Sequence, residues 1–151
     1  MLHETYELLE SAPEVSDYRM LRERSGLSPK SAAQAKAAIA GSWHAVHVRH
    51  RPTGEPVGMG RVIGDGGWYF HVADMAVVPD TSGAASAGSS SSTSCGPLRS
   101  VAPATPWITL LADPPGWPLY EGMGFRPTAP NSIGMALDRA PPSERPTDGG
   151  S

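Results

Sequence analysis

At 151 residues the chain is long enough for one domain with a substantial core and too short for two comfortable ones. A formal net charge of −3 leaves no basic footprint for nucleic acid, and no apolar run is long enough to span a bilayer. The single cysteine, Cys95, excludes an intrachain disulfide and makes a reducing compartment the expectation.

The opening MLHETYELLE is too acidic and too poor in apolar residues for a signal peptide, so the chain is expected to be cytoplasmic. TYELLES then reads as a first strand. VSDYRMLRERSG places Val15, Tyr18, Met20, Leu21 and Arg24 on helical spacing, with Ser16 as the expected N-cap and Gly26 as the stop. In LSPKSAAQAKAAIAGS, Ser28 is the expected cap, Pro29 falls at the first helical position and Gly41 ends the helix. WHAVHVRH and PVGMGRVIG are two strands of a hairpin joined by RPTGEP. The tight turn DGG leads into WYFHVADMAVV, a long strand hydrophobic on both faces and so expected at the centre of a sheet.

Beyond Asp80 the text changes. DTSGAASAGSSSSTSCGPLRS has no apolar periodicity and is expected to lack structure, within an aberrant segment spanning 81–106. WITLLAD then reads as a buried strand, and PPGWPLYEGMGF as a short helix closed by Gly124 despite Pro118. RPTAP and SIGMALD read as the last extended pieces, and the Pro-rich stretch 139–151 as a disordered tail. Strand, two helices, three antiparallel strands, strand, helix, strand is an α+β order, or α/β with a mixed sheet.

HVADMAVVPD, WITLLADPPGWPLYEGMGFRP and SIGMAL, with the hairpin VGMGRVIGDGG, resemble the GNAT superfamily of acyl-CoA-dependent N-acyltransferases. The likeness covers roughly residues 4 to 138, apart from the stretch after Asp80. It implies a mostly antiparallel mixed sheet with flanking helices and a splayed strand pair. It also implies transfer of the acetyl group of acetyl-CoA to a small-molecule amine by direct attack, and it allows a homodimer. Neither nucleic acid nor membrane is an expected partner, and no metal is expected.

Acyl transfer from a thioester requires a held thioester, a neutral amine and a proton for the departing thiolate. By resemblance, backbone groups of Met75, Ala76, Val77 and Val78 hold the pantetheine arm as an added strand. Tyr120 matches the tyrosine that protonates the thiolate in many members, with a helix tyrosine packing its ring on the sheet as the alternative. Asp74 matches an acidic residue that orients the amine or accepts its proton; a plain ion pair with Arg61 on the neighbouring strand is an equal alternative. Arg22, Ser25 and His71 are candidates for the rim or lining of the acceptor pocket, His71 also reading as a satisfied sheet histidine. His44 and His47, three apart on a strand, face opposite sides, so no metal cluster with His50 is expected.

The family's strand end is followed by a glycine loop that opens a helix and cradles the pyrophosphate of CoA. Residues 81–106 contain no such motif, although their length is about right for it. Read in a neighbouring frame with GC-rich codons, Thr81–Gly88 translates to a Gln-initiated Gly-x-Gly loop, and the serine run that follows to an amphipathic helix. The hypothesis is a pair of compensating frame errors, near Asp80 and between Gly96 and Val101. If the chain exists as written, the alternative is a catalytically impaired remnant without a pyrophosphate loop.

Overall fold

The computed structural model describes residues 4–79 and 103–137. Most of the segment 81–106, including the low-complexity stretch, and the tail both lie outside them. Five strands form one sheet in the order β1-β2-β3-β4-β5: β1 Tyr6–Leu9, β2 His44–His50, β3 Pro56–Gly64, β4 Tyr69–Val77 and β5 Trp107–Leu110. The first three pairings are antiparallel and the last is parallel. Helices α1 (Val15–Arg24) and α2 (Ala32–Ala40) connect β1 to β2, and α3 (Trp117–Gly122) follows a 3-10 turn at Pro114–Gly116. The expected α+β fold with a mixed, mostly antiparallel sheet is therefore observed.

Two helix starts differ from expectation. The α1 helix begins at Val15, one residue before Ser16, with Glu14 at the cap position and no side-chain capping bond. Ser28 and Pro29 do not open α2. The helix starts at Ala32, where Ser31 Oγ accepts from Gln34 N at 3.1 Å and Gln34 Oε1 accepts from Ser31 N at 3.0 Å. This reciprocal capping box satisfies two amide donors at the helix entrance, one more than a lone Ser28 could satisfy. Gly26 does end α1, at φ +83°, a conformation that glycine reaches without a Cβ penalty.

The sheet is packed on both faces. Toward α1 and α2, a cluster of Tyr18, Leu21, Ala35, Met59, Ala76 and Val78 is buried. On the other face Val62, Phe70 and Val72 are buried, with Trp43, Met75, Ile108, Leu110 and Phe125 packed against them. WITLLAD is less than the buried strand expected: only Trp107–Leu110 is strand, and Trp107 and Leu111 are exposed. Among the described residues it is the edge of the sheet, so one of its flanks has no covering strand. SIGMALD forms no strand within the described residues, and Ile133, Met135 and Leu137 are exposed.

Candidate active site

The β3–β4 ladder pairs Gly64 with Phe70 and continues in step to Arg61 with Ala73. It then slips by one residue, so that Met59 pairs with Ala76 and Gly58 with Val77. Asp74 is the extra residue, at φ +53°. A non-glycine residue in this left-handed region of a strand costs on the order of 1–3 kcal/mol, and the cost must be met by its surroundings.

Those surroundings are specific. Tyr18 Oη and the Arg22 guanidinium, one helical turn apart on α1, both donate to the Asp74 carboxylate, as does Arg61 Nε from β3. The Asp74 and Arg22 side chains retain 13% and 8% of their surface, so these are charge-assisted bonds with little solvent competition. Arg22 is held at its other end as well, donating from Nε to Ser28 O at 2.9 Å and from a terminal nitrogen to Ser28 Oγ at 3.2 Å. Burial raises the Asp74 pKa, but the Tyr18 and Arg61 hydrogen bonds and the two positive charges prevail and leave it below the usual carboxylate value. Burial first, and then the same carboxylate, push the Tyr18 phenol up.

The other sequence candidates fall in different settings. Ser25 sits at the C-terminus of α1, where its hydroxyl donates to Arg22 O at 3.1 Å. His71 lies within the parallel pair, opposite Thr109 in the register, with Nδ1 2.9 Å from Thr109 Oγ1. Thr109 Oγ1 also lies 3.4 Å from Phe70 O. Burial and the Arg61 charge lower the His71 pKa. Tyr120, half-buried on α3, meets the Phe125 ring edge-on at 6.1 Å between centroids. His47 is buried against Ser11 O, and His50 bonds Thr53. Among the described residues no three His, Cys, Asp or Glu side chains gather as metal ligands would, and no helix is long and apolar enough to cross a membrane.

The β4–β5 ladder ends early. It pairs Tyr69–Val72 with Trp107–Leu110 and stops, whereas β4 continues to Val77. Val78 N donates to Val57 O on β3 at 2.9 Å. By strand alternation the N–H and C=O of Val77 therefore point the other way, into the opening that β5 has left. An extended polar ligand fits such an edge.

Among the described residues the sheet is mixed, with one parallel pair, and its fold is similar to that of solved acetyltransferases. A probable acetyltransferase of unknown function from meticillin-resistant Staphylococcus aureus superposes with a TM-score of 0.80 and 32% identity, over 88% of this chain and 98% of that one. A GNAT-family acetyltransferase from Streptococcus pneumoniae gives 0.71 and 18%, over 90% and 98%. A GNAT-family acetyltransferase from Brucella melitensis in complex with acetyl-CoA gives 0.61 and 15%, over 83% and 85%. The sequence matches no family model, and it matches no curated protein. The chain belongs to the GNAT family of acetyltransferases, a class of enzymes.

Two participants at the carboxylate are absent from the catalytic and binding candidates of the sequence reading. Tyr18 looked only like a core residue of α1, and Arg61 only like an ion-pair partner. Their signal was present: Tyr18 and Arg22 are spaced i, i+4, the spacing at which two side chains on one helix face can meet a common partner.

Proposed function

We propose that the chain transfers the acetyl group of acetyl-CoA to the amine of a small molecule by direct attack. The observation that carries this reading is the run of β4 from Ala73 to Val77, paired with β3 on one edge but lying beyond the end of the β5 ladder on the other, where the parallel neighbour stops at Leu110. Of the stretch Met75, Ala76, Val77 and Val78 assigned to the pantetheine arm, Val77 directs its main-chain groups to the opening and would make the bonds, whereas Ala76 and Val78 turn theirs toward β3, Val78 N donating to Val57 O. The arm occupies the place of the missing strand, so the affinity comes from main-chain hydrogen bonds and tolerates side-chain change.

Tyr120 is assigned as general acid. A phenol with an ordinary pKa of about 10 can protonate a departing thiolate without ionising first at neutral pH. Asp74 contributes its charge rather than basicity, because a carboxylate bound by two guanidinium groups and a phenol is a weak proton acceptor. Arg22 and Ser25 belong to the helix end that would rim the acceptor side. His71, held below the usual imidazole pKa by burial and the Arg61 charge, is the group assigned to take the amine proton. The GNAT-family acetyltransferase from Brucella melitensis is in complex with acetyl-CoA, which supports the same donor here.

One observation favours a second reading, an impaired remnant of the family: residues 81–106 carry no glycine-loop motif. Isothermal titration with acetyl-CoA separates the two. Micromolar binding, followed by acetylation of amines in a screen, supports the transferase; absence of binding up to millimolar acetyl-CoA would leave the remnant.

A further inference from the structure

The bulge at Asp74 does more than bend a strand. Above it, β3 and β4 are in one register; below it they are in the next. Were the upper register to continue unbroken, Met59 would face Met75 and Gly58 would face Ala76. Each main-chain group below Asp74 would then turn to the other edge of the strand, and each side chain to the other face. Val77 would direct its N–H and C=O to β3, and its neighbours would present theirs to the opening. Ala76 and Val78 would leave the core they share with Tyr18 and Leu21, and Met75 would leave the cluster of Phe70 and Val72. One residue of slip thus decides which amides face the cleft.

The slip occurs at a residue whose backbone is unfavourable and whose side chain is held by three donors from two elements. We propose that Tyr18, Arg22 and Arg61 are positioning residues: by gripping Asp74 they lock the β3–β4 register that aims Val77 at the thioester. This rests on the acetyl-CoA reading for the identity of the ligand, but not for the register itself. Two of the three donors are on α1, so the helix placed to rim the acceptor side also sets the edge offered to the donor substrate. Arg22 is further tied to the α1–α2 connection through Ser28, which makes the grip stiff at its helical end.

The test is a chain carrying Tyr18→Phe and Arg61→Gln together. Arg22 then remains paired one-to-one with Asp74, so no buried charge is left without a partner. Two readouts are taken well below the melting temperature, where a loss of stability alone changes neither. The first is the cross-strand Hα–Hα nuclear Overhauser effect of Gly58. Val78 N bonds Val57 O, so Gly58 and Val77 form the close, non-hydrogen-bonded pair of the unaltered chain. The second is the Kd for acetyl-CoA.

The expected result is that the Gly58 contact moves from Val77 to Ala76 and that Kd rises at least about tenfold, equivalent to about 1.4 kcal/mol. In the milder Tyr18→Phe variant, which retains both arginines, the two contacts should appear together in exchange. Arg61→Lys, restoring a donor and a charge, should restore the Val77 contact. Retention of the single Gly58–Val77 contact in the double variant overturns the proposal, whatever the affinity. Failure of the unaltered chain to bind acetyl-CoA would instead overturn the transferase reading, and the Gly58 contact would still decide the register.

Discussion

Arg61 is paired across the ladder with Ala73, yet its Nε binds the carboxylate of the next residue, Asp74. A strand residue normally shows its side chain on the face opposite to that of its predecessor. Here the left-handed backbone at Asp74 returns the carboxylate to the face of Arg61. The ion pair and the bulge therefore depend on each other.

Asp74→Ala should be severely destabilising. It leaves Arg22 buried and Arg61 partly buried without a counter-charge, and breaking a buried ion pair from one side typically costs about 3–5 kcal/mol. Glu7→Ala is the control. Its pair with Arg51 spans 4.0 Å between half-exposed side chains, worth about 0–1 kcal/mol. Urea unfolding monitored by circular dichroism distinguishes them; equal midpoints for the two variants would show that the buried cluster adds nothing.

The same cluster contributes at both ends of the pH–stability curve. The Asp74 pKa is depressed in the folded chain, so its contribution is fully present above the ordinary value of 3.8 and is lost as the pH falls through the lower folded one. The Tyr18 pKa is raised, so its contribution is present below 10.0 and is lost as the pH climbs through the higher folded value. Ultraviolet titration near 295 nm should show one tyrosine ionising later than the others, and Tyr18→Phe should abolish that late step.

The nearby histidine gives an independent reading of the Arg61 charge. Burial and Arg61 together hold the His71 pKa below 6.5. Replacing Arg61 with Gln removes the repulsion and leaves the burial, so the pKa should rise part of the way back. A proton–carbon correlation titration of the imidazole ring follows it directly. An unchanged or lower value would mean that the guanidinium is not near His71 in solution.

For the chemistry, Tyr120→Phe should lower kcat by roughly a hundredfold or more, the usual worth of a positioned proton donor. The Kd for acetyl-CoA should be unchanged, because the ring keeps its edge-on contact with Phe125. The loss should shrink with acyl donors whose thiol is more acidic, since a better leaving group needs less protonation. A uniform loss across such donors would argue against the acid role.

The frame hypothesis is decided by nucleotides. Sequencing the gene across Asp80 to Val101 should give codons that regroup into a Gln-initiated glycine loop and an apolar-periodic helix. Codons that regroup into neither would eliminate it.

Much of the architecture could be read from residue patterns alone. The hairpin followed from alternation and from RPTGEP, and Gly26 and Gly41 marked the helix ends correctly. The start of α2 differs from expectation because several serines compete in SGLSPKS, and only the reciprocal bond between Ser31 and Gln34 decides which one caps. The reading of β4 as apolar on both faces missed a change of phase. Phe70 and Val72 face one core, and after Asp74 it is Met75 that joins them while Ala76 and Val78 face the other. No one-dimensional periodicity reveals a left-handed residue in mid-strand, because Asp74 reads locally like any polar strand position. The last strand was overestimated for a related reason: SIGMALD has the alternation of a strand, but alternation names a face and not the partner that must cover it.

Arg22 joins α1, the segment around Ser28 and β4 through one guanidinium. These pieces should therefore open to solvent together rather than fray one by one. In a hydrogen–deuterium exchange experiment, the amides of α1 and those flanking Asp74 would share one opening free energy and one denaturant dependence, the signature of a single cooperative unit.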